Sequence, residues 1–468
     1  MLFNSIEFWL FFAVVFAAVH LLAHRGQNLL LLGASYVFYA AWDWRFLSLI
    51  LASTVVDYYA ALAAEPGVGS DRMRRWAVVV SATVNLGILG VFKYFDFFIH
   101  SFANLFALPP DTTDSLLLGV LLPVGISFYT FQTMSYTLDV YARRLQPTRS
   151  FTDLALYVSL FPQLIAGPIE RGSHLMPQVL SPRPFDPERL HSGVYLIVWG
   201  LFKKVCIADT LAHPVQVIYT SPDPTGPEVY IATMCFAVQI YSDFSGYTDI
   251  ARGVGRMLGF DFMLNFNLPY LAHNPTDFWR RWHISLSTWL RDYLYISIGG
   301  NRKGAGRTYV NLMITMVLGG LWHGARFNFV LWGAYHGALL VVHRFFDKNE
   351  ATERAAPLTT ALKIAGMFHL TLFGWLLFRV ETADQLVRLT SALLGPWHNW
   401  DSAWGLLTYA LPVTAPLIAM QFWQARSGNL EVIVGTPTLA KVAFVTFCLS
   451  GVLLFNRSGG APFIYFQF

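Results

Sequence analysis

The chain has 468 residues, of which 55% are hydrophobic and 13% are charged, and its mean hydropathy is +0.47. Because a soluble protein carries about 25% charged residues, this composition predicts a multi-pass membrane protein. The net charge of +4 is too small to indicate a nucleic-acid partner. The three cysteines, Cys206, Cys235 and Cys448, form no CxxC pair, so we expect neither a disulfide framework nor a thiolate metal site.

Hydrophobic stretches of a length suited to crossing a membrane recur along the whole chain, and several are short or interrupted by Pro and Gly. The fold predicted is therefore all-α, with about 11–13 transmembrane or re-entrant helices. We expect the first apolar run to be a span rather than a signal peptide, because Glu7 precedes it and no basic segment does. The stretches are 6–23, 28–42, 45–64, 76–98, 115–141, 151–167, 190–208, 229–248, 308–324, 327–343, 360–378, 403–423 and 438–455.

The loops between the first five stretches predict an orientation, because short loops rich in Lys and Arg remain in the cytoplasm. One side would hold seven arginines, whereas the other would hold Arg45 and little else. This asymmetry predicts that the N-terminus lies on the outer side of the membrane. The seven are Arg25, Arg72, Arg74, Arg75, Arg143, Arg144 and Arg149.

Residues 161–190 contain six prolines, which exclude a continuous helix. Irregular backbone at membrane depth persists where protein buries it or where it lines a wet cavity. We therefore expect this segment to be folded inside the protein or against a polar path.

Residues 274–307 are the least membrane-like part of the chain and carry a net charge of +4, equal to that of the whole protein. Asn274 followed by Pro275 predicts a helix start, and Gly299 with Gly300 predicts its end. On a helical wheel the aromatic residues form one face, and His283 lies on that face. The pattern favours an amphipathic interfacial helix with a buried histidine, and it also allows His283 to face a site.

Two further histidines, His323 and His336, lie in the apolar stretch 318–337. On one unbroken helix they would lie ~20 Å apart, too far to share a metal ion. Packing or hydrogen bonding is the default interpretation of His336. Around His323, the neighbouring glycines predict a backbone that another chain or a ligand approaches closely. The sequence leaves two interpretations of His323 open: a buried core residue or a catalytic base.

Three acidic residues in the stretch 241–262 are predicted to be buried. Pairing with nearby Arg252 or Arg256 explains them best, although a polar path is the alternative. The three are Asp243, Asp249 and Asp261.

Several motifs resemble the membrane-bound O-acyltransferase family, in particular its bacterial branch. They cover residues 123–337 almost continuously, and the stretches 29–42 and 462–468 extend the likeness towards both ends. The motifs are PVGISFYTFQTMSYTLDVY (123–141), FPQLIAGPIERG (161–172), YSDFSGYTDIARGVGRMLGF (241–260), NFNLPYLAHNPTDFWRRWHISLSTWLRDYLYISIGGNR (265–302) and GGLWHGARFNFVLWGAYHG (319–337).

The resemblance implies one polytopic domain over residues 1–468, with 123–337 as its catalytic core and a ring of helices around a central funnel. It assigns His323 as the catalytic residue and His283 as its functional companion, and it assigns no role to His336. No metal and no tightly bound cofactor are expected. A bacterial inner-membrane location follows from the same likeness.

The function that the resemblance implies is acyl transfer across the membrane, most simply of acetyl to a secreted polysaccharide such as alginate. The donor would be a cytoplasmic thioester, either acetyl coenzyme A or an acyl carrier. The partner would be a separate periplasmic O-acetyltransferase, and the direct acceptor would be either a hydroxyl of that partner or a hydroxyl of the sugar. D-alanyl transfer to teichoic acid is a rival within the enzyme class, and a polysaccharide or acyl transporter is a rival outside it.

Overall fold

A computed structural model of the protein describes residues 1–106, 108–164, 167–346, 356–455 and 463–464. Within these ranges the regular structure is helical and contains no strand, which confirms the all-α prediction. The described residues form two compact units, residues 1–194 with 251–263 and residues 195–250 with 264–468. A single domain over residues 1–468 stays a prediction.

The first unit contains ten helices within its described residues, and α11 (Pro187–Leu201) passes from it into the second unit. A π-helical segment, 90–94, joins the fourth helix to the fifth. The ten are α1 (Ile6–Val19), α2 (His24–Asp43), α3 (Leu47–Ala64), α4 (Asp71–Leu89), α5 (Phe95–Leu105), α6 (Pro110–Leu116), α7 (Ile126–Tyr141), α8 (Phe151–Ser159), α9 (Phe161–Leu164) and α10 (Gly172–Leu180).

A buried carboxylate connects α3, α4 and α7. Asp57 accepts hydrogen bonds from Ser81 Oγ at 2.5 Å, Asn85 Nδ2 at 2.5 Å and Thr137 Oγ1 at 2.6 Å. Because a buried carboxylate is costly unless donors surround it, these three bonds make its burial tolerable. The cluster holds the three helices in register.

The proline-rich segment breaks into short helices, as predicted. Around α10, the buried carboxylate of Glu170 accepts the backbone N–H of Met263 at 2.6 Å and lies 2.7 Å from His174 Nδ1. The bond to Met263 attaches the irregular chain to a distant segment of the same unit. The expectation of burial therefore holds for the first part of the segment, which includes Glu170 and Leu175, whereas most of residues 180–189 are exposed.

The second unit contains the remaining helices of the described ranges, except that residues 251–257 of α13 belong to the first unit. A π-helical segment, 202–208, follows α11, and another, 290–295, follows α15. The helices are α12 (Asp209–Thr220), α13 (Gly226–Met257), α14 (Pro275–Arg281), α15 (Ile284–Trp289), α16 (Gly304–His323), α17 (Phe327–Phe346), α18 (Pro357–Arg379), α19 (Ala383–Leu394), α20 (Trp400–Ser427) and α21 (Thr438–Phe455).

The helices α16 and α17 form a tightly packed hairpin. A Cβ added at Gly320 would lie 2.1 Å from the carbonyl oxygen of Phe329, and one at Gly333 would lie 2.4 Å from that of Met316. Only glycine permits backbones to approach this closely, a common device between helices in membranes. The hairpin fixes the position of His323, the last residue of α16.

Six helical segments of the described residues are long and apolar enough to cross a membrane, and α1 is a shorter apolar helix. The chain is therefore a multi-pass membrane protein, as predicted. Other predicted spans, including 190–208, 229–248 and 308–324, lie in helices that are too short or too polar to meet the same criteria. The six are His24–Ala64, Asp71–Ala103, Phe327–Phe346, Pro357–Arg379, Trp400–Ser427 and Thr438–Phe455.

Candidate active site

The helix predicted after Asn274 begins as expected. The backbone N–H of Asp277 donates to Asn274 Oδ1 at 2.7 Å, and Pro275 occupies the first turn. Asp277 also pairs with Arg281 one turn later, at 2.8 Å. The N-terminal signals in the sequence are therefore confirmed.

The prediction of one continuous helix from this start to Gly299 is wrong, because the helix ends at Arg281. Trp282 is extended, and His283 adopts the left-handed conformation with φ 42° and ψ 54°. For a residue with a Cβ, that conformation costs about 1–2 kcal/mol. Apolar periodicity continues on both sides of the break, so the sequence pattern conceals it. The hydrogen bonds that stabilise the break come from residues 265–267 of the same unit.

The His283 side chain is completely buried among aromatic rings. Phe244 and His283 pack edge to face with ring centroids 4.7 Å apart, and Trp322 lies at 5.6 Å. Burial lowers the pKa of His283 to about 3, since the charged imidazolium would lose its hydration. At neutral pH the ring is therefore uncharged and retains one N–H donor and one acceptor nitrogen.

His323 lies next to His283, with ring centroids 6.1 Å apart and planes inclined by 52°. It is only 4% exposed, and aromatic rings surround it: Trp322 at 5.1 Å, Trp332 at 5.0 Å and Phe378 at 5.4 Å. The structure thus brings together the two histidines that the family resemblance selected. The site is an imidazole pair inside an aromatic enclosure.

The glycines around His323 do permit a close approach, but the approaching group belongs to this chain. A Cβ at Gly324 would lie 2.2 Å from the ring of Phe329. The same phenylalanine supplies the carbonyl oxygen that faces Gly320. The expectation that another chain or a ligand uses this space is therefore corrected, because α17 occupies it.

His336 is buried in α17 and packs between aromatic rings, with Phe278 at 5.9 Å and Trp332 at 4.8 Å. The packing role assumed for it agrees with these contacts. The separation inferred from a continuous helix is wrong, because the chain reverses direction after His323. Trp332 contacts both imidazoles, so one indole links His336 to the candidate site.

A buried ion-pair network of lysines and aspartates, which the motifs did not predict, lies in the same unit. Lys204 Nζ lies 2.8 Å from Asp209 Oδ1 and 2.7 Å from Asp243 Oδ1. Asp243 Oδ2 also accepts the backbone N–H of Ile464 at 2.7 Å. Because Phe244 follows Asp243 in the chain and packs on His283, the network holds one wall of the enclosure.

Lys203 is the second lysine of the buried ion-pair network. It contacts Asp249 Oδ2 at 2.6 Å and Ser245 Oγ at 2.9 Å. The sequence signal from which this network could have been predicted is the pair of adjacent lysines within an apolar run. The predicted arginine pairing holds for Asp261, whose Oδ1 lies 3.7 Å from Arg256 Nε, but the prediction that Asp261 is buried is wrong, because its side chain is 60% exposed. Asp243 pairs with Lys204, and Asp249 pairs with Lys203. In the described part of the chain, no cluster of three or more His, Cys, Asp or Glu is arranged to hold a metal ion.

Helices that cross a membrane and enclose two buried imidazoles define a class of membrane protein suited to proton transfer away from bulk water. Residues 37–356 match the model of the membrane-bound O-acyltransferase family. This match covers more than half of the chain. The chain belongs to the membrane-bound O-acyltransferase family, and it is an acyltransferase.

Individual relatives support the same assignment. The probable alginate O-acetylase AlgI of Pseudomonas putida is 38% identical over the full length of both chains. The peptidoglycan O-acetyltransferase of Helicobacter pylori is 34% identical over 84% of this chain and 80% of its own length. The teichoic acid D-alanyltransferase of Bacillus subtilis is 28% identical over 54% of this chain and 68% of its own length.

Proposed function

We propose that this membrane O-acyltransferase transfers an acetyl group from a cytoplasmic thioester, across the bacterial inner membrane, for O-acetylation of a secreted polysaccharide such as alginate. The observation that carries the proposal is the buried pair of His323 and His283, with ring centroids 6.1 Å apart. Acetyl is favoured because the relatives above that share the most sequence are named O-acetylases or O-acetyltransferases.

In the proposed reaction, His323 is the general base. It accepts the proton of the acceptor hydroxyl as the hydroxyl oxygen attacks the thioester carbonyl carbon. The carbon–sulfur bond then breaks, and the thiolate leaves with the proton that His323 returns. Imidazole suits this role because it accepts and releases a proton near neutral pH.

His283 supports the charge that develops on the carbonyl oxygen. Because burial keeps its ring neutral, His283 acts as a hydrogen-bond donor rather than as a cation. A preorganised donor in an enclosure free of water stabilises an oxyanion more strongly than one exposed to solvent. The aromatic rings around both histidines provide that enclosure.

The donor, acceptor and partner complete the proposal. The orientation predicted from the arginine-rich loops puts those loops on the cytoplasmic side, where acetyl coenzyme A or an acyl carrier would bring the thioester. The hydroxyl would enter from the periplasm, on a separate O-acetyltransferase that completes the modification of the polymer. No tightly bound cofactor is needed for this chemistry.

Replacing His323 by Ala or Gln tests the proposal in cells that secrete the acetylated polymer. We expect acetylation to be lost while protein abundance and polymer export remain normal. Exposed His369, which hydrogen-bonds Tyr230, offers a matched control as His369→Gln and should leave acetylation unchanged. Unchanged acetylation in the His323 variants would refute the catalytic role, whereas loss of export would favour a transporter.

D-alanyl transfer remains the second candidate, because the B. subtilis relative carries that name. Mass spectrometry of the modified polymer separates the two candidates, since acetyl and D-alanyl esters differ in mass and only the second contains nitrogen. A D-alanyl ester that disappears with His323→Ala would replace the acetyl proposal and keep the catalytic one.

A further inference from the structure

His283 lies where two short pieces of chain run side by side. The N–H of Ile284 donates to the carbonyl of Asn265 at 3.0 Å, and the N–H of Asn267 donates to the carbonyl of Arg281 at 3.0 Å. These two bonds flank His283 and hold the chain at the break between α14 and α15. A left-handed residue with a Cβ persists when its surroundings determine its conformation in this way.

The side chain of Asn265 strengthens the same connection. Its Oδ1 accepts the Ser285 hydroxyl at 2.7 Å and the Ser285 N–H at 3.4 Å, and its Nδ2 donates to Thr248 Oγ1 at 3.4 Å. Asn265, Ser285 and His283 are all 0% exposed. One amide group therefore joins α13 to the first turn of α15, directly after His283.

An asparagine suits this position because the position needs an acceptor and a donor on one short side chain. An aspartate would bury a charge, and a leucine of similar size would leave the Ser285 hydroxyl and N–H without their acceptor. The amide oxygen also lies 3.4 Å from the N–H of Ser285, in the first turn of α15, where N–H groups in general need acceptors from outside the helix. Its loss would release the backbone that sets the direction of the imidazole.

We infer that Asn265 is a positioning residue of the acyltransferase, which fixes His283 in its left-handed conformation and so sets its distance from His323. The inference rests on the role proposed for His283. Asn265 touches neither donor nor acceptor in this scheme, and it acts through the backbone of residues 283–285.

Kinetics of purified Asn265→Leu protein test the inference in wild-type and His283→Ala backgrounds. Alone, the variant should lower kcat at least tenfold and change the KM for the thioester by less than twofold. In the His283→Ala background it should cause no further loss, because the residue through which it acts is already absent. An equal loss in both backgrounds would overturn the inference.

Two companion variants keep the test decisive if Asn265→Leu folds poorly. Ser285→Ala removes a single donor and should lower kcat in the same direction by a smaller factor. Asn311→Leu is the matched control, because Asn311 is a completely buried asparagine in the same unit that donates to Gly300. It should leave kcat per folded molecule unchanged.

Cryo-electron microscopy of Asn265→Leu gives a readout that does not depend on activity, and it decides the matter if His283→Ala is too slow to assay. The ring centroids of His283 and His323 should no longer lie 6.1 Å apart. If His283 does not move, the inference about Asn265 is wrong, but the proposed role of His283 is unaffected. Full activity of His283→Ala by itself would instead overturn the proposed role of His283, and the inference with it.

Discussion

Replacement of Lys204 by methionine tests whether the buried ion-pair network supports the fold. Lys204 is 1% exposed and contacts carboxylates of two elements, Asp209 at the start of α12 and Asp243 in α13. Methionine keeps most of the side-chain volume and removes the charge. The buried carboxylate of Asp243 and the largely buried carboxylate of Asp209 then lose the ammonium group that now pairs with them.

Removing one partner of a buried ion pair destabilises a protein by about 3–5 kcal/mol. Lys204 pairs with two carboxylates, so a loss of stability twice as large could be expected. Two observations favour a loss within the range for a single pair. Asp243 retains the N–H of Ile464, and burial raises the pKa of Asp209 to about 6, so that carboxyl can take up a proton when the lysine is lost. We therefore expect the free energy of unfolding to fall by about 3–5 kcal/mol.

Thermal unfolding of the detergent-solubilised protein, followed by tryptophan fluorescence, measures the effect. Lys204→Met should lower the Tm by several degrees, and adding Asp209→Asn and Asp243→Asn should recover most of the loss by removing the stranded charges. Exposed Lys303 provides the control as Lys303→Met. A Lys204→Met protein as stable as wild type would show that the network contributes no stability.

Three further predictions concern the pKa of two histidines and the packing of the hairpin. The carboxylate of Glu170 raises the pKa of His174, so their pairing stabilises the fold fully below about pH 6.5 and is lost as pH rises through the raised value. His174→Gln should therefore lower the Tm at pH 6 much more than at pH 9, and equal shifts would contradict the pairing. Because burial keeps His283 neutral, His283→Asn should lower kcat by a similar factor between about pH 5 and 9, whereas loss of an ionisation near pH 6.5 would contradict this. Gly333→Ala should destabilise the hairpin by about 1–3 kcal/mol, because its Cβ would lie 2.4 Å from a carbonyl oxygen of α16. Gly366→Ala, with open space around it, is the control for the same Tm measurement.

Local signals in the sequence predicted local structure well. Hydropathy and the scarcity of charge identified a helical membrane protein, because the bilayer core tolerates only backbone whose hydrogen bonds are satisfied. Asn274 and Pro275 located a helix start, and the prolines of residues 161–190 excluded a long helix. Each of these signals acts within a few residues of the structure that it determines.

The composition of the candidate site was also visible in the sequence, but its geometry was not. Motifs around His283 and His323 selected the two histidines through family resemblance. Their separation of 6.1 Å depends on the α16–α17 hairpin and on a helix break that apolar periodicity concealed. The acceptors that hold the break come from Asn265, and no local pattern connects that residue to Ser285.

The sequence by itself determined the class of protein, the helical architecture and the identity of the two histidines, because hydropathy, helix caps and motifs are properties of contiguous residues. Only the tertiary structure decided which groups meet. Lys204 pairs with Asp243 rather than leaving that acid to an arginine, and Phe329 rather than a ligand fills the space beside Gly324. Such choices depend on which helices pack together, since burial makes each unsatisfied charge and each empty space costly.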